Sequence, residues 1–374
     1  MKVEFYKHNI SQIDIDNVIN VLNSFILTTG EVVDRFEQDF SHYMGCKYIV
    51  GMNSGTAALH LSLLAYGIGP GDEVITTPMT FIATANAILH AGAIPVFVDV
   101  EPETANINAN EIEGAITSKT KAILPVHLYG QMCDMKKIRK IADIHKCIVI
   151  EDAAHTIEAV RDGVRPGELG DAACFSFYAT KNITSGEGGA VGTNNEEIAM
   201  NLKKLRLHGM SSSAADRYSK RYQHWDMEML GWKFNMDNIQ AALLIDQLKR
   251  IDRNWQRREA ICQMYEDAFK VNKHVTCLKI LPGSKSARHM FTIMINPEKR
   301  DNVLWQLQEK GVGVAVNYRA IHLLTYYSQR YGYKRGMFPV AERIGDSTIT
   351  LPLYPRLKDE EVRYVIQAVK DVAK

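Results

Sequence analysis

Lys181 stands just past the apolar run Phe175-Ser176-Phe177-Tyr178 and just before the turn Gly186-Glu187-Gly188-Gly189. An amine beyond the end of a buried strand is partly desolvated, which lowers its pKa and suits it to Schiff-base chemistry, although most single lysines are solvated surface charges. A carboxylate has a comparable setting in Glu151-Asp152-Ala153-Ala154-His155, at the carboxyl end of a hydrophobic run. Ligands of parallel sheets bind at such ends, and a carboxylate buried there needs a cation or a protonated ring nitrogen beside it. His155 follows at i+3, on the same side of a helical turn; a helix cap with a bystander histidine is the other reading. The third segment, Asn53-Ser54-Gly55-Thr56-Ala57-Ala58, leaves one apolar run and opens another. Backbone N–H groups at a helix start make a phosphate site, and an ordinary N-cap made by Ser54 or Thr56 would use the same residues. The segment is neither a Walker loop nor a GxGxxG fingerprint. Together, a phosphate cradle, a strand-end Asp and a strand-end Lys are the attachments pyridoxal phosphate requires, for its phosphate, its pyridinium nitrogen and its aldehyde carbon.

The elements that must position these groups follow from periodicity. Short runs rich in β-branched residues predict strands over 48–52, 73–76, 95–100, 122–127, 148–151, 173–177 and 190–192. Helical patterns lie between and after them, near 56–67, 80–91, 110–117, 134–146 and 196–208. This alternation is the signature of a mostly parallel sheet covered on both faces. A helix predicted from Met236 to about Phe269 leads into a smaller α+β unit, with strands over 276–281, 290–295 and 312–316 and helices over 301–310 and 359–373. The expected division is a large domain over 1–250 and a small one over 251–374. Residues 209–235 form a long irregular stretch holding His224, Trp225, Trp232 and Phe234, of the length that marks a functional or mobile loop.

Composition narrows the function classes. The 374 residues are 46% hydrophobic and 23% charged, as in a globular protein. Forty-four Lys and Arg against 43 Asp and Glu give a net charge of +1, so neither nucleic acid nor an anionic membrane is an expected partner. No apolar stretch approaches the roughly 20 residues that span a bilayer. The opening MKVEFYKHNI lacks the basic-then-apolar pattern of a signal peptide, and a cytoplasmic location is expected. The six cysteines form no CxxC pair and sit mostly in apolar segments, as buried thiols do; no metal site is expected.

Over nearly its whole length the chain resembles the sugar aminotransferases named for DegT, DnrJ, EryC and StrS, which have the aspartate-aminotransferase (type I) fold. The blocks that carry the resemblance are LTTGEVVDRFE at 27–37, NSGTAALHLSLLA at 53–65, GDEVITTPMTFIATANAI at 71–88, PVFVDV at 95–100 and PVHLYGQMCDM at 125–135. They continue with EDAAH at 151–155, FSFYATKNITSGEGGA at 175–190, HGM at 208–210 and WKFNMDNIQAA at 232–242. The resemblance implies an α/β large domain with a mostly parallel seven-stranded sheet, a smaller α+β C-terminal domain, and pyridoxal 5'-phosphate as cofactor. It implies that Lys181 bonds the cofactor and shuttles protons, and that Asp152 keeps its ring nitrogen protonated. Phe81 takes the family's stacking position on the ring, where a core phenylalanine is the alternative, and His155 lies near the other face. Gly55, Thr56, Ala57 and Ser176 correspond to the phosphate cup. Asn235 corresponds to an asparagine that reaches the phosphate from the neighbouring subunit, so a homodimer with shared sites is implied.

Substrate expectations rest on finer features of the same resemblance. Thr29, Glu187 and His322 are the expected substrate contacts, with a plain loop histidine as the alternative for His322. The GEGG segment around Glu187 is similar to that of members acting at sugar carbon 4, and Lys181 argues against the dehydrating branch, which carries histidine there. Two departures stand out: Glu31 where proline often follows LTTG, and Glu158-Ala159 where a glycine is common after the histidine. The expected reaction is transfer of an amino group from L-glutamate to a nucleotide-linked, UDP-carried 4-keto-6-deoxy sugar. A 3-keto sugar or keto-cyclitol aminotransferase is the alternative, and a non-catalytic cofactor-binding regulator a remoter one.

Overall fold

The computed structural model describes residues 1–211 and 224–374. Its first part alternates helices and strands: α1 Gln12–Leu22, α2 Glu31–Met44, β1 Tyr48–Met52, α3 Gly55–Ala65, β2 Glu73–Thr76, α4 Ala83–His90, β3 Ile94–Phe97, β4 Thr120–Ile123 and α5 Met135–His145. It continues through β5 Ile148–Asp152, the short β6 Val160–Arg161, β7 Ala172–Ser176, β8 Gly189–Thr193 and α6 Glu196–Leu205. Seven of these strands form one sheet in the order β1-β8-β7-β5-β4-β2-β3. Only β8 runs against its neighbours; the other pairings are parallel.

Strand side chains alternate between the faces of a sheet, and both faces here are covered. Val50, Ile150, Ala172 and Val191 pack with α3 and α6, while Ile49, Ala173, Phe175 and Ala190 pack on the opposite side with α2. Burial on both faces accounts for the nearly continuous apolar composition of the strands. The parallel strands end on one edge, where Ser176 of β7 and Met52 of β1 both pair with Gly189, the first residue of β8. Asp152 closes β5 beside them.

The expected helix over 236–269 is two helices, α7 Asn238–Lys249 and α8 Ile251–Phe269. The break falls at Arg250, at φ −109° and ψ 10°, whose guanidinium is ion-paired to Asp14 and Asp246. A three-stranded antiparallel sheet follows, in the order β11-β10-β9, from β9 Thr276–Cys277, β10 Phe291–Met294 and β11 Thr348–Leu351. The expected strand over 312–316 is not one: Val312 bridges Val3 and Ala315 bridges Thr350, each as an isolated pair. The expected helix over 110–117 is a single 3₁₀ turn, Glu113–Ala115. The helix at Asp359–Val372 matches expectation closely, and the one at Pro297–Glu309 starts four residues before the expected 301. Val3 and Tyr265 share a second core with Ile293, Ile349 and Val365. Part of the irregular stretch 209–235 lies outside the described residues; at its end Trp232 and Phe234 pack against the first core. All six cysteines are free thiols, five of them buried and Cys277 half-buried. Among the described residues, no helix is long and apolar enough to cross a membrane.

Candidate active site

The sheet edge carries the first attachment at the start of α3. Ser54 is an extended N-cap whose Oγ accepts from the Ala57 N–H at 3.1 Å, and its carbonyl accepts from Ala58 N–H. The N–H groups of Gly55 and Thr56, also in the first turn, take no partner among the described residues. No acidic side chain stands in that turn to oppose an anion. The cradle is tight because its glycines let backbone approach backbone. A Cβ on Gly55 would lie 2.8 Å from Ser176 Cβ, and one on Gly189 would lie 2.4 Å from the Ser54 carbonyl. Ser176 therefore stands directly against the helix start. The N-cap reading of the segment holds for Ser54, and the cap leaves the N–H groups of Gly55 and Thr56 unused.

Asp152 is 7% exposed. Its Oδ2 accepts from Thr84 Oγ1 at 2.8 Å and its Oδ1 from Ala154 N–H at 3.2 Å. Thr84 Oγ1 lies 2.8 Å from Thr80 Oγ1, and because the only Thr84 hydroxyl proton goes to the carboxylate, Thr80 is the donor in that pair. Burial raises the Asp152 pKa, with the Thr84 hydrogen bond as the largest opposing influence. No basic side chain pairs with it among the described residues. Sequence reasoning did not single out Thr84; it lies within the block 71–88, but only the fold brings its hydroxyl to Asp152.

Lys181 is half-buried in the turn after β7, where its N–H donates to the Tyr178 carbonyl at 2.9 Å. Burial lowers its pKa to about 8 against the opposing pull of Asp152. His155 is buried, and its Nδ1 accepts from the Tyr129 N–H at 3.2 Å, so its neutral ring carries the proton on Nε2. Burial, then the Lys181 charge, hold its pKa well below the usual histidine value.

Phe81 is 54% exposed, outside helix α4, which starts at Ala83 rather than near 80. A core role for Phe81 is thereby removed. Its ring lies 5.8 Å from that of Tyr318, which stacks nearly parallel to His155 at 6.4 Å. Phe81 and His155 thus both neighbour the ring of Tyr318. Tyr318 opens the segment in which the sequence pointed to His322, but only the fold brings its ring to His155.

The other expected contacts divide. Asn235 Nδ2 donates to Thr29 Oγ1 at 2.7 Å, and Thr29 Oγ1 donates to the Met236 carbonyl at 2.6 Å. These two residues stand together, with Asn235 bridged to Met52 at the end of β1. Glu187 is exposed, and its backbone carbonyl accepts from Ser185 Oγ and Gln240 Nε2. His322 is a correction: it is fully buried and its Nε2 is 3.0 Å from Glu342 Oε1. Its ring packs edge-on against Phe338 at 4.8 Å, so it is a core residue that no substrate reaches in this structure.

The residues fit pyridoxal phosphate. Free N–H groups in a glycine-cleared cradle suit its phosphate, a buried carboxylate with no cationic partner suits a pyridinium N–H, and a desolvated amine suits its aldehyde. Fold and site together define a type I pyridoxal-phosphate-dependent aminotransferase. The model of the DegT/DnrJ/EryC1/StrS aminotransferase family matches residues 8–370, and the chain belongs to that family. It is 42% identical over 367 residues to the spore coat polysaccharide biosynthesis protein SpsC of Bacillus subtilis, covering 96% of this chain and 94% of the relative. Among solved structures, Spr1654 of Streptococcus pneumoniae in its PLP form is 31% identical with a TM-score of 0.93, over 100% of this chain and 99% of that one. The same protein was also solved in a PMP form. PseC of Helicobacter pylori, an aminotransferase of pseudoaminic acid biosynthesis, is 30% identical with a TM-score of 0.93 over the same shares.

Proposed function

We propose that this chain moves the amino group of L-glutamate to carbon 4 of a UDP-linked 4-keto-6-deoxy hexose, in the cytoplasm, as a homodimer. The observation that carries the reading is the placement of Lys181 and Asp152 at one sheet edge beside the cradle at the start of α3. The names of SpsC and PseC, proteins of polysaccharide and pseudoaminic acid biosynthesis, support a sugar substrate. The GEGG segment around Glu187 supports carbon 4.

In this reading Gly55, Thr56, Ala57 and Ser176 hold the phosphate, Asp152 accepts the ring N–H, and Phe81 and His155 take the two faces of the ring. Pyridoxal phosphate, when bound, supplies a conjugated cation that delocalises the electron pair left by a departing proton. Lys181 does the proton work. With a pKa of about 8, its neutral amine is available near neutral pH to remove the α proton of glutamate, which leaves as 2-oxoglutarate. Glutamate gives up its amino group and electron pair to the cofactor in exchange for a water oxygen. In the second half, as the amine takes the place of the sugar's keto oxygen, which departs as water, the same side chain delivers a proton to carbon 4. Thr29 and Glu187 are the substrate contacts, and residues 1–250 and 251–374 the two domains that enclose them.

A dimer is supported by the apolar side chains that α1 leaves exposed, Ile13, Ile15, Ile19 and Leu22, with Phe25 beyond them. Asn235 in this reading serves the phosphate of the neighbouring subunit. The test is the visible spectrum of the protein loaded with pyridoxal phosphate, before and after L-glutamate, followed by NMR of the sugar product. A band that glutamate bleaches, with the amine on carbon 4, is expected. An amine on carbon 3 or on a cyclitol overturns the substrate, and a band that glutamate leaves unchanged overturns the donor. A protein that forms no band is not this enzyme.

A further inference from the structure

Glu158, where the family commonly has glycine nearby, is buried against Arg258, the two side chains being 0% and 2% exposed. Arg258 Nη2 donates to Glu158 Oε1. The other carboxylate oxygen, Oε2, accepts from Asn182 Nδ2 at 2.8 Å, and the same amide donates to the Ala287 carbonyl at 3.1 Å. Both partners can only accept, so the amide orientation of Asn182 is set and its Oδ1 is the atom facing His289 Nδ1 at 3.1 Å. His289 Nδ1 must then carry the proton, and Nε2 bears a lone pair. That Nε2 is buried with no partner among the described residues, on a residue 5% exposed. The His289 ring lies 4.3 Å from that of His155, which has the opposite tautomer. Lys181, Asn182, Arg258 and His289 line one cavity with Tyr6 and Thr180.

We propose that His289 Nε2 is the hydrogen-bond acceptor for the Lys181 amine whenever that amine is not bonded to cofactor, and that Glu158 is the positioning residue that fixes it so. Glu158 acts through Asn182: it orients the amide, the amide sets the imidazole tautomer, and the tautomer leaves the lone pair on the ring nitrogen away from Asn182, on a residue that lines one cavity with Lys181. A buried acceptor without a donor costs free energy, and the amine is the mobile donor at hand. The role rests on Lys181 as the cofactor lysine.

The tautomer is read without cofactor, by long-range ¹H–¹⁵N NMR of the histidine rings in the intact protein. His289 is expected with Nδ1 protonated and Nε2 bare. In Glu158→Gln the new side chain can offer its own NH₂, so only the Ala287 carbonyl still holds the Asn182 amide, and part of the spectrum is expected to move toward Nε2–H. Because that change also removes the negative charge beside Arg258, a second pair of variants tests the acceptor. His289→Asn keeps a donor toward Asn182 but has nothing at the Nε2 position, whereas His289→Gln places an acceptor there. On adding pyridoxal phosphate, the visible band should develop about tenfold more slowly in His289→Asn and within about twofold of the unaltered rate in His289→Gln, the scale of one hydrogen bond. A protonated Nε2 in the unaltered protein overturns the proposal, as do equal rates for His289→Asn and the unaltered protein or equal slowing of both variants. Absence of any band in the unaltered protein would instead sink the lysine chemistry, and the tautomer would still show whether the acceptor exists.

Discussion

Lys181 and Asp152 are opposite charges that burial moves in opposite directions. The lysine is brought down to about 8, so the population of neutral amine rises as pH rises through that value. The rate of cofactor capture is expected to climb with pH and level off above about 8; a midpoint near the ordinary lysine value of 10.5 would show that the amine is solvated. Lys181→Ala is expected to cost turnover at least the roughly 10²–10⁴-fold that a positioned proton-transfer group supplies. Cofactor should still bind, and dialysis should remove it; retained steady-state transamination would defeat the assignment. For Asp152 the sign is reversed. Its folded pKa is raised, so the folded chain binds a proton more tightly than the unfolded one, and cofactor-free stability falls as pH rises from 3.8 through the raised value. Thr84→Val removes the main opposing hydrogen bond and should extend that fall to higher pH, enlarging it by about 1–3 kcal/mol for a buried acceptor left without its donor. Thr84→Ser should restore it. Melting temperatures across pH for both variants decide the matter. The candidate residues were legible one at a time because strand-end placement shows in the local pattern. Thr84, Tyr318 and His289 were not, since their importance depends on which distant atoms they meet.

The cradle depends on where β1, β7 and β8 end. Its anchor is a buried pair behind β1: Glu37 of α2 and Arg206 at the end of α6 meet at 2.6 Å, and both bond the Gly51 backbone. Arg206→Ala leaves the carboxylate buried and unpaired, a change that costs about 3–5 kcal/mol; denaturant unfolding is the measurement, and a loss under 1 kcal/mol would mean that water replaces the guanidinium. Gly189→Ala would put a methyl 2.4 Å from the Ser54 carbonyl. It is expected to destabilise by about 1–3 kcal/mol through overpacking and to weaken cofactor binding by displacing the start of α3, as an equilibrium titration would show. Most strands were predictable to within a few residues because burial on both faces leaves a continuous apolar run. The strands of the large sheet end earlier than expected at 97 and 123, where hydrophobic composition continues but ladder pairing stops. Helices α1 and α2 escaped prediction altogether. Strong amphipathicity in α2 was a usable signal, whereas α1 exposes isoleucines on a face that reads as apolar without facing its own core.

At the scale of the molecule, the proposed dimer makes each site depend on two chains. Lys181→Ala and Asn235→Asp, each inactive alone in this reading, should regain activity when mixed and allowed to exchange subunits, because one site of the mixed dimer receives neither change. No recovery, with exchange verified by light scattering of tagged chains, would show that Asn235 serves its own subunit. The sequence by itself determined the alternation of strands and helices, the helix start after β1, the strand-end Asp and Lys, and through its ordered blocks the family. All of these are encoded in contiguous residues, where burial periodicity and turn chemistry act locally. Tertiary structure decided what only distant residues can decide. It buried His322 against Glu342, freed Phe81 from the core, broke the long helix at Arg250 where Asp14 and Asp246 meet its guanidinium, and gave Glu158 a partner a hundred positions away in Arg258. The physical reason is the same in each case: a buried polar group is stable only with its partner, and no local pattern names a partner that the fold has yet to bring near.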